Sequence, residues 1–178
     1  MSLRHWGATP DEIARSYFAD SALPGSVTLL TRAVTVAAPA SLGYRWLCQI
    51  AVAPYSYDFI DNWGRRSPHA LTPGADDLFV GKRVQIFDLV DVQPGHEFTG
   101  RTIPSAERFF GPVALTYAAE PLDSGRCRLI GRLAVGVAGW VERVRAEVLG
   151  IGDLVMMRKQ LLNLKEYAER DARAGVEL

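Results

Sequence analysis

Cysteine and histidine are scarce in this chain of 178 residues, which contains two cysteines and three histidines. Cys48 and Cys127 form no CxxC pair, and no dense Cys/His cluster occurs, so neither a disulfide framework nor a zinc ribbon is expected. His5, His69 and His96 are too dispersed to show the spacing of metal ligands. We therefore predict two buried free thiols, no metal site and no cofactor.

Long apolar runs and an excess of one charge are also missing. The uncharged stretch at residues 33–44 is interrupted by Pro39 and falls short of the roughly 20 apolar residues that a membrane-spanning helix needs. The N-terminus, MSLRHW, lacks the apolar core of a signal peptide. Basic and acidic residues number 20 each, so a strongly basic surface for nucleic acid is not expected. We predict a cytoplasmic protein with no membrane span and no nucleic-acid partner.

What is present is the composition of a globular protein, with 48% hydrophobic and 22% charged residues. A chain of this length is typical of one domain with a sizeable core. Thr9 and Glu12 form a capping box around Pro10, which predicts a short helix with Tyr17 on its apolar face and an end at Pro24–Gly25.

Residue patterns predict a strand, a helix and then a strand-rich region. Residues 26–37 are rich in Val and Thr, which favours a strand. Pro39 can open a helix to about residue 50 whose buried stripe is Leu42, Trp46, Leu47 and Ile50. Short strands separated by turn residues then follow, and such neighbours favour an antiparallel sheet: 82–92, 96–103, 113–119 and 126–137.

Two further patterns predict which side chains of the final strand face solvent and which side chains of the C-terminal helix lie in the core. Arg126, Arg128 and Arg132 alternate on one side of the final strand and are predicted to face solvent. Asp153 is a candidate N-cap for a C-terminal helix of about five turns. Its apolar residues follow three- and four-residue spacing and are predicted to lie in the core: Leu154, Met157, Leu161, Leu164 and Ala168.

Four segments carry a resemblance to a known superfamily. They are residues 32–39 (RAVTVAAP), 46–50 (WLCQI), 55–62 (YSYDFIDN), and the Gly152–Asp153 pair that leads into MMRKQL. Together they resemble a bacterial branch of the START-like, polyketide cyclase-like superfamily (SRPBCC), which also includes plant pollen allergens. The similarity covers most of the chain from about residue 30, and YSYD is its most specific part.

The resemblance implies the helix-grip fold, an α+β architecture in which a curved antiparallel β-sheet wraps around a long C-terminal α-helix. It divides the chain into an N-terminal arm with a short helix (1–24) and a START-like domain (25–178). Members of the superfamily hold lipids, sterols, polyketides or other hydrophobic molecules in a cavity between sheet and helix, and a minority catalyse reactions there. No catalytic residue is common to all of them, so the resemblance assigns a cavity and no mechanism.

Aromatic and acidic residues are concentrated in residues 53–64. Tyr55, Tyr57 and Trp63 offer aromatic faces to an apolar ligand that Asp58 would orient. Asp58 beside a phenol would also suit acid–base chemistry on a ketone or enol. The alternative is structural, with the tyrosines covering the core edge and Asp58 and Asp61 capping a turn. With Tyr117 on the central strand and the adaptable Met157, the candidate ligand-binding residues are Tyr55, Tyr57, Asp58, Trp63, Tyr117 and Met157.

Three functions remain open from the sequence. A carrier or sensor of a small hydrophobic molecule requires an apolar cavity of roughly 300–1,000 Å³. A cyclase- or isomerase-like enzyme requires at least two convergent polar groups inside the cavity. A protein-interaction module requires an exposed apolar patch larger than a few hundred Å². The sequence also leaves open whether the N-terminal arm closes over its own domain or exchanges with a partner in a homodimer.

Overall fold

A computed structural model describes residues 4–56, 67–137 and 139–175. In this part of the chain seven strands form one sheet: β1 (His5–Trp6), β2 (Val27–Val36), β3 (Arg83–Val84), β4 (Phe87–Gln93), β5 (Glu97–Thr102), β6 (Val113–Asp123) and β7 (Arg126–Gly136). Their spatial order is β1-β2-β7-β6-β5-β4-β3. All neighbours are antiparallel except β1 and β2, which are parallel. The antiparallel meander predicted from the turn residues is confirmed, but the single strand predicted at 82–92 is divided into β3 and β4, which pair with each other.

Helices of very different lengths accompany the sheet: α1 (Pro10–Ala14), α2 (Ala40–Cys48), α3 (Pro104–Phe110) and α4 (Trp140–Arg173). One face of the sheet, the inner face, packs against α2 and α4 in a single hydrophobic core. The indole N–H of Trp46 donates to Asp171 at 3.1 Å and so joins α2 to α4 inside this core. The predicted buried stripe of α2 is confirmed, because Leu42, Trp46, Leu47 and Ile50 are all buried.

The C-terminal helix is longer than predicted. Four of the five residues predicted for its apolar stripe are buried, Met157, Leu161, Leu164 and Ala168, whereas Leu154 is only half-buried. The helix α4 also begins at Trp140 and not at Asp153. The prediction was wrong because Gly150 and Gly152 look like a helix boundary, whereas each glycine in a helix interior costs only about 1 kcal/mol. A helix of 34 residues whose C-terminal half is fixed in the core can include both.

Two other predictions about local structure were wrong. The capping box of α1 is present, with the Glu12 amide donating to the Thr9 hydroxyl at 3.2 Å, but the helix ends at Ala14, well before Pro24–Gly25. The sequence patterns also predict no helix between the strands expected at 96–103 and 113–119, where α3 lies. Pro104 occupies the first turn of α3, where its missing N–H has no cost.

Residues 4–24 lie on the outer face of the sheet, opposite α4. Backbone pairing adds β1 to β2, with the Thr31 amide donating to the Arg4 carbonyl at 2.8 Å. Tyr17 then packs on Ala33, Ala118 and Ile130. Further along the arm, Ala19 and Leu23 pack on Ala114 and Ala134. The arm thus covers an outer face that consists largely of small side chains.

Two arginines of β7 hold the arm in place, which corrects the prediction that they face solvent. Arg128 donates to both carboxylate oxygens of Glu12, at 2.6 and 2.8 Å, and to the Gly7 carbonyl at 2.7 Å. Arg132 donates to both oxygens of Asp20, at 2.9 and 3.0 Å. Alternation along β7 had placed both arginines on one face correctly, but it carries no information about what covers that face. Arg126, beyond the arm, is exposed as predicted.

Acid should weaken the attachment of the arm through Glu12. Burial would raise the pKa of Glu12, but hydrogen bonds from Arg128 and Thr9 outweigh it and lower the pKa below its usual 4.5. A carboxyl with a lowered folded-state pKa contributes stability above its unfolded pKa and loses it as the pH falls through the folded value. Between about pH 5 and pH 3 we expect the free energy of unfolding to fall more steeply in the wild type than in Glu12→Gln. Urea titrations across this range would measure both slopes, and parallel curves would contradict the prediction.

Candidate ligand-binding site

The inner face contains a cavity of about 470 Å³ between the sheet and α4. One end of this face is filled by α2, and the cavity occupies the other end. The pairing register of β2, β6 and β7 explains how the strands form one wall of the cavity. Leu30 and Leu115 both lie opposite Leu133, and Val113 lies opposite Val135. Because side chains alternate along a strand, these five apolar residues project to the same side. Gly152 of α4 also borders the cavity and leaves space that a side chain would occupy.

Large apolar side chains mark where the cavity opens. Ile86 of the turn between β3 and β4, Phe110 of α3 and Met156 of α4 all line the cavity. They are also 37%, 42% and 41% exposed, respectively, whereas the wall residues are buried. Among the described residues, these three side chains therefore mark the edge at which the cavity faces solvent.

A chain of hydrogen bonds runs along the polar side of the cavity. The Tyr117 hydroxyl lies 2.5 Å from Oε1 of Gln160, and Nε2 of Gln160 lies 2.5 Å from the Pro54 carbonyl oxygen. Tyr117 and Gln160 are both buried, so these bonds satisfy polar groups that have little contact with bulk solvent. The chain links β6, α4 and the loop after α2.

Two other polar side chains that line the cavity, Thr102 and Gln85, form hydrogen bonds with the backbone. The Thr102 hydroxyl accepts from the Val113 amide at 3.0 Å. Gln85 donates to the Ile50 carbonyl at 3.1 Å and has φ of 54°, a left-handed conformation that is uncommon for residues other than glycine. Among the lining residues that the structure describes, none carries a formal charge. The described wall is therefore apolar with a few neutral polar groups.

The candidate residues named from the sequence fall into three groups. Tyr117 and Met157 both line the cavity. Tyr55 is 1% exposed and does not line it; its ring lies 6.1 Å from that of Trp46 and 6.0 Å from that of Tyr167. Tyr57, Asp58 and Trp63 lie outside the described residues, as does Asp61. That all six candidates form one ligand site stays a prediction.

Sequence reasoning missed Gln160, Phe110 and Gln85. A signal existed for Gln160, since a polar residue between Met157 and Leu161 interrupts an otherwise apolar helix stripe. Phe110 had none, because α3 itself was not predicted. Gln85 belongs to a turn whose course depends on contacts with residues distant in sequence.

Both thiols are buried and free, as predicted. Burial raises the pKa of Cys48 to about 12 and that of Cys127 to about 11, so both remain protonated and unreactive at neutral pH. Within residues 4–56, 67–137 and 139–175, no three His, Cys, Asp or Glu side chains come together as metal ligands would. No helix in the described ranges combines the length and the apolar character needed to cross a bilayer.

Comparison with known proteins shows the fold of the chain. No family model matches the sequence, and no curated protein matches it significantly. Among solved structures, the ZhuI aromatase/cyclase from Streptomyces sp. R1128 superposes with a TM-score of 0.52 and 18% identity, covering 86% of this chain and all of that one. Norcoclaurine synthase from Thalictrum flavum, in complex with dopamine and hydroxybenzaldehyde, gives 0.52 and 12% identity over 85% and 91%. The chain has the helix-grip fold.

The helix-grip assignment confirms the resemblance inferred from the sequence at the level of fold. The N-terminal arm adds to the helix-grip sheet a short parallel edge strand and a covering for its outer face. The cavity lies where the resemblance implied it, between the sheet and the C-terminal helix.

Proposed function

We propose that this protein binds a small hydrophobic molecule in the helix-grip cavity and acts as a carrier or sensor. The cavity itself carries the proposal. Its volume of about 470 Å³ lies within the range of roughly 300–1,000 Å³ that is typical of small-molecule sites. Well-packed interiors contain few voids larger than a water molecule, so a space of this size with an apolar wall suits an apolar occupant.

A cyclase- or isomerase-like activity is the second proposal. It is supported by the enzymatic names of the two structural neighbours described above, an aromatase/cyclase and a synthase. Carriage ranks first because the described wall contains no carboxylate, imidazole or amine, the groups that most often act as general acids or bases. Catalysis would depend on Tyr57 and Asp58.

Filling the cavity tests the proposed function. In Leu133→Trp the indole would occupy space at the centre of the cavity wall, so we expect affinity for the neutral probe 2-ethylnaphthalene to fall about tenfold or more. Stability should stay unchanged or rise by up to about 2 kcal/mol, because filling a void adds packing contacts. Equilibrium dialysis and thermal unfolding would measure the two effects.

Leu122→Trp is the matched control. Leu122 is 51% exposed near the hairpin between β6 and β7, so its substitution adds the same indole outside the cavity. The control should bind the probe like the wild type. Equal affinity of Leu133→Trp and the wild type would show that the probe binds elsewhere and would overturn the proposal.

A further inference from the structure

The orientation of the Gln160 amide is determined by its two neighbours. The Pro54 carbonyl can only accept a hydrogen bond, so the group 2.5 Å from it must be the amide nitrogen of Gln160. The amide oxygen then faces Tyr117, whose hydroxyl must be the donor across 2.5 Å. The two bonds leave the amide no freedom to flip.

These two bonds use only one of the two N–H donors of the Gln160 amide. An amide nitrogen carries two hydrogens, and one of them is directed to Pro54. Within the described part of the chain, Nε2 has no second acceptor, although Gln160 is only 6% exposed and lines the cavity. A buried donor without a partner costs about 1–3 kcal/mol, so such a group calls for an acceptor that the cavity brings in.

The two bonds also fix the direction of this donor. Tyr117 and the Pro54 carbonyl hold the Gln160 amide in one orientation. The polar side of the cavity therefore presents a fixed, uncharged donor.

The wall restricts what the acceptor can be. A carboxylate would lose its hydration without meeting a counter-charge among the described lining residues. A hydroxyl would bring its own O–H, which would need a second acceptor correctly placed among the few neutral polar groups of the lining. A carbonyl oxygen accepts and has no proton to place, so it fits this site best.

We propose that the ligand presents a neutral carbonyl oxygen to Nε2 of Gln160. This inference rests on the proposed function, because it assigns the chemical class of the molecule that the cavity takes. Gln160 acts in it as a residue that determines specificity and position.

A cycle of two probes and two proteins tests the inference. 2-Acetylnaphthalene and 2-ethylnaphthalene differ in one carbonyl oxygen and are nearly equal in size. Because the two probes also differ in solubility in water, their affinities would differ even without a hydrogen bond. The measured quantity is therefore the ratio of their two dissociation constants, compared between the wild type and Gln160→Met. We expect the preference for the ketone to fall about three- to tenfold in the variant, the effect of losing one hydrogen bond.

The outcomes separate this inference from the proposed function. If 2-ethylnaphthalene binds and the ratio is unchanged in Gln160→Met, the carbonyl assignment is wrong and the hydrophobic site stands. If the wild type retains neither probe in equilibrium dialysis, both proposals fail. Should Gln160→Met not fold, the infrared C=O stretch of 2-acetylnaphthalene bound to the wild type decides: a frequency below that in hexane supports the hydrogen bond, and an unshifted one overturns it.

Discussion

Replacement of Arg128 with methionine is expected to lower the free energy of unfolding by about 3–5 kcal/mol. Arg128 and Glu12 are an ion pair with side chains only 11% and 7% exposed. Removing the guanidinium leaves the Glu12 carboxylate buried without its counter-charge, and it removes the hydrogen bonds to Gly7 and Thr35. Methionine keeps most of the side-chain volume, so the loss reports on charge and hydrogen bonding more than on packing.

Arg126→Met is the matched control on the same strand. Arg126 pairs with Asp123, but the two side chains are 61% and 44% exposed, and exposed pairs contribute about 0–1 kcal/mol. Urea unfolding of the two variants would measure the difference. An equal loss of unfolding free energy in Arg126→Met and Arg128→Met would mean that Arg128 is not buried under the arm. A Glu12→Met/Arg128→Met double variant should recover part of the loss, since no unpaired charge then remains.

The features that could be predicted from the sequence are those determined by residues close to one another in the chain. The capping box at Thr9 and Glu12 and the stripe through Met157 depend on spacings within one element, and both are present in the structure. The start of α4 and the existence of α3 depend on packing against distant residues, which overrides the weak preferences of glycine and proline. The burial of Arg128 belongs to this second kind, because its partner lies in the arm.

The candidate site shows the same division. Tyr117 could be placed on the inner face because alternation along β6 sets its direction, and the structure has it in the cavity. Tyr55 could not be placed, since its direction follows from a backbone with φ of 55° and from the bond that Asn163 donates to its carbonyl at 2.9 Å. No composition argument predicts a loop of that shape. Gln160 was visible only as a polar residue in an apolar stripe, a pattern that buried structural amides share.

The two faces of the sheet have separate roles. On the outer face, small residues and two arginines bind the arm, and nothing in the described residues of that face reaches the cavity. On the inner face, α2 and the C-terminal half of α4 form the core, while the cavity occupies the remaining end. Changes to the arm should therefore alter stability and leave ligand affinity nearly unchanged.

Gly7→Ala tests this separation and should lower the free energy of unfolding by about 2–5 kcal/mol. Gly7 has φ of +70°, and a Cβ there would lie 2.1 Å from the Ala33 carbonyl oxygen, a backbone atom of β2. The left-handed conformation costs about 1–2 kcal/mol for alanine, and relieving the clash would separate β1 from β2 at a cost comparable to overpacking a core, about 1–3 kcal/mol.

Gly25→Ala is the control that isolates the clash from the backbone conformation. Gly25 has a similar φ of +80°, but no atom lies within 4 Å of a Cβ placed there, so only the conformational cost of about 1–2 kcal/mol remains. An equal loss of unfolding free energy in the two variants would mean that β1 does not pack closely on β2.

In the folded state both variants should bind 2-ethylnaphthalene within about twofold of the wild type, since a factor of two corresponds to only about 0.4 kcal/mol. A larger loss of affinity in Gly7→Ala would show that the arm supports the cavity through the sheet, and that the two faces are coupled.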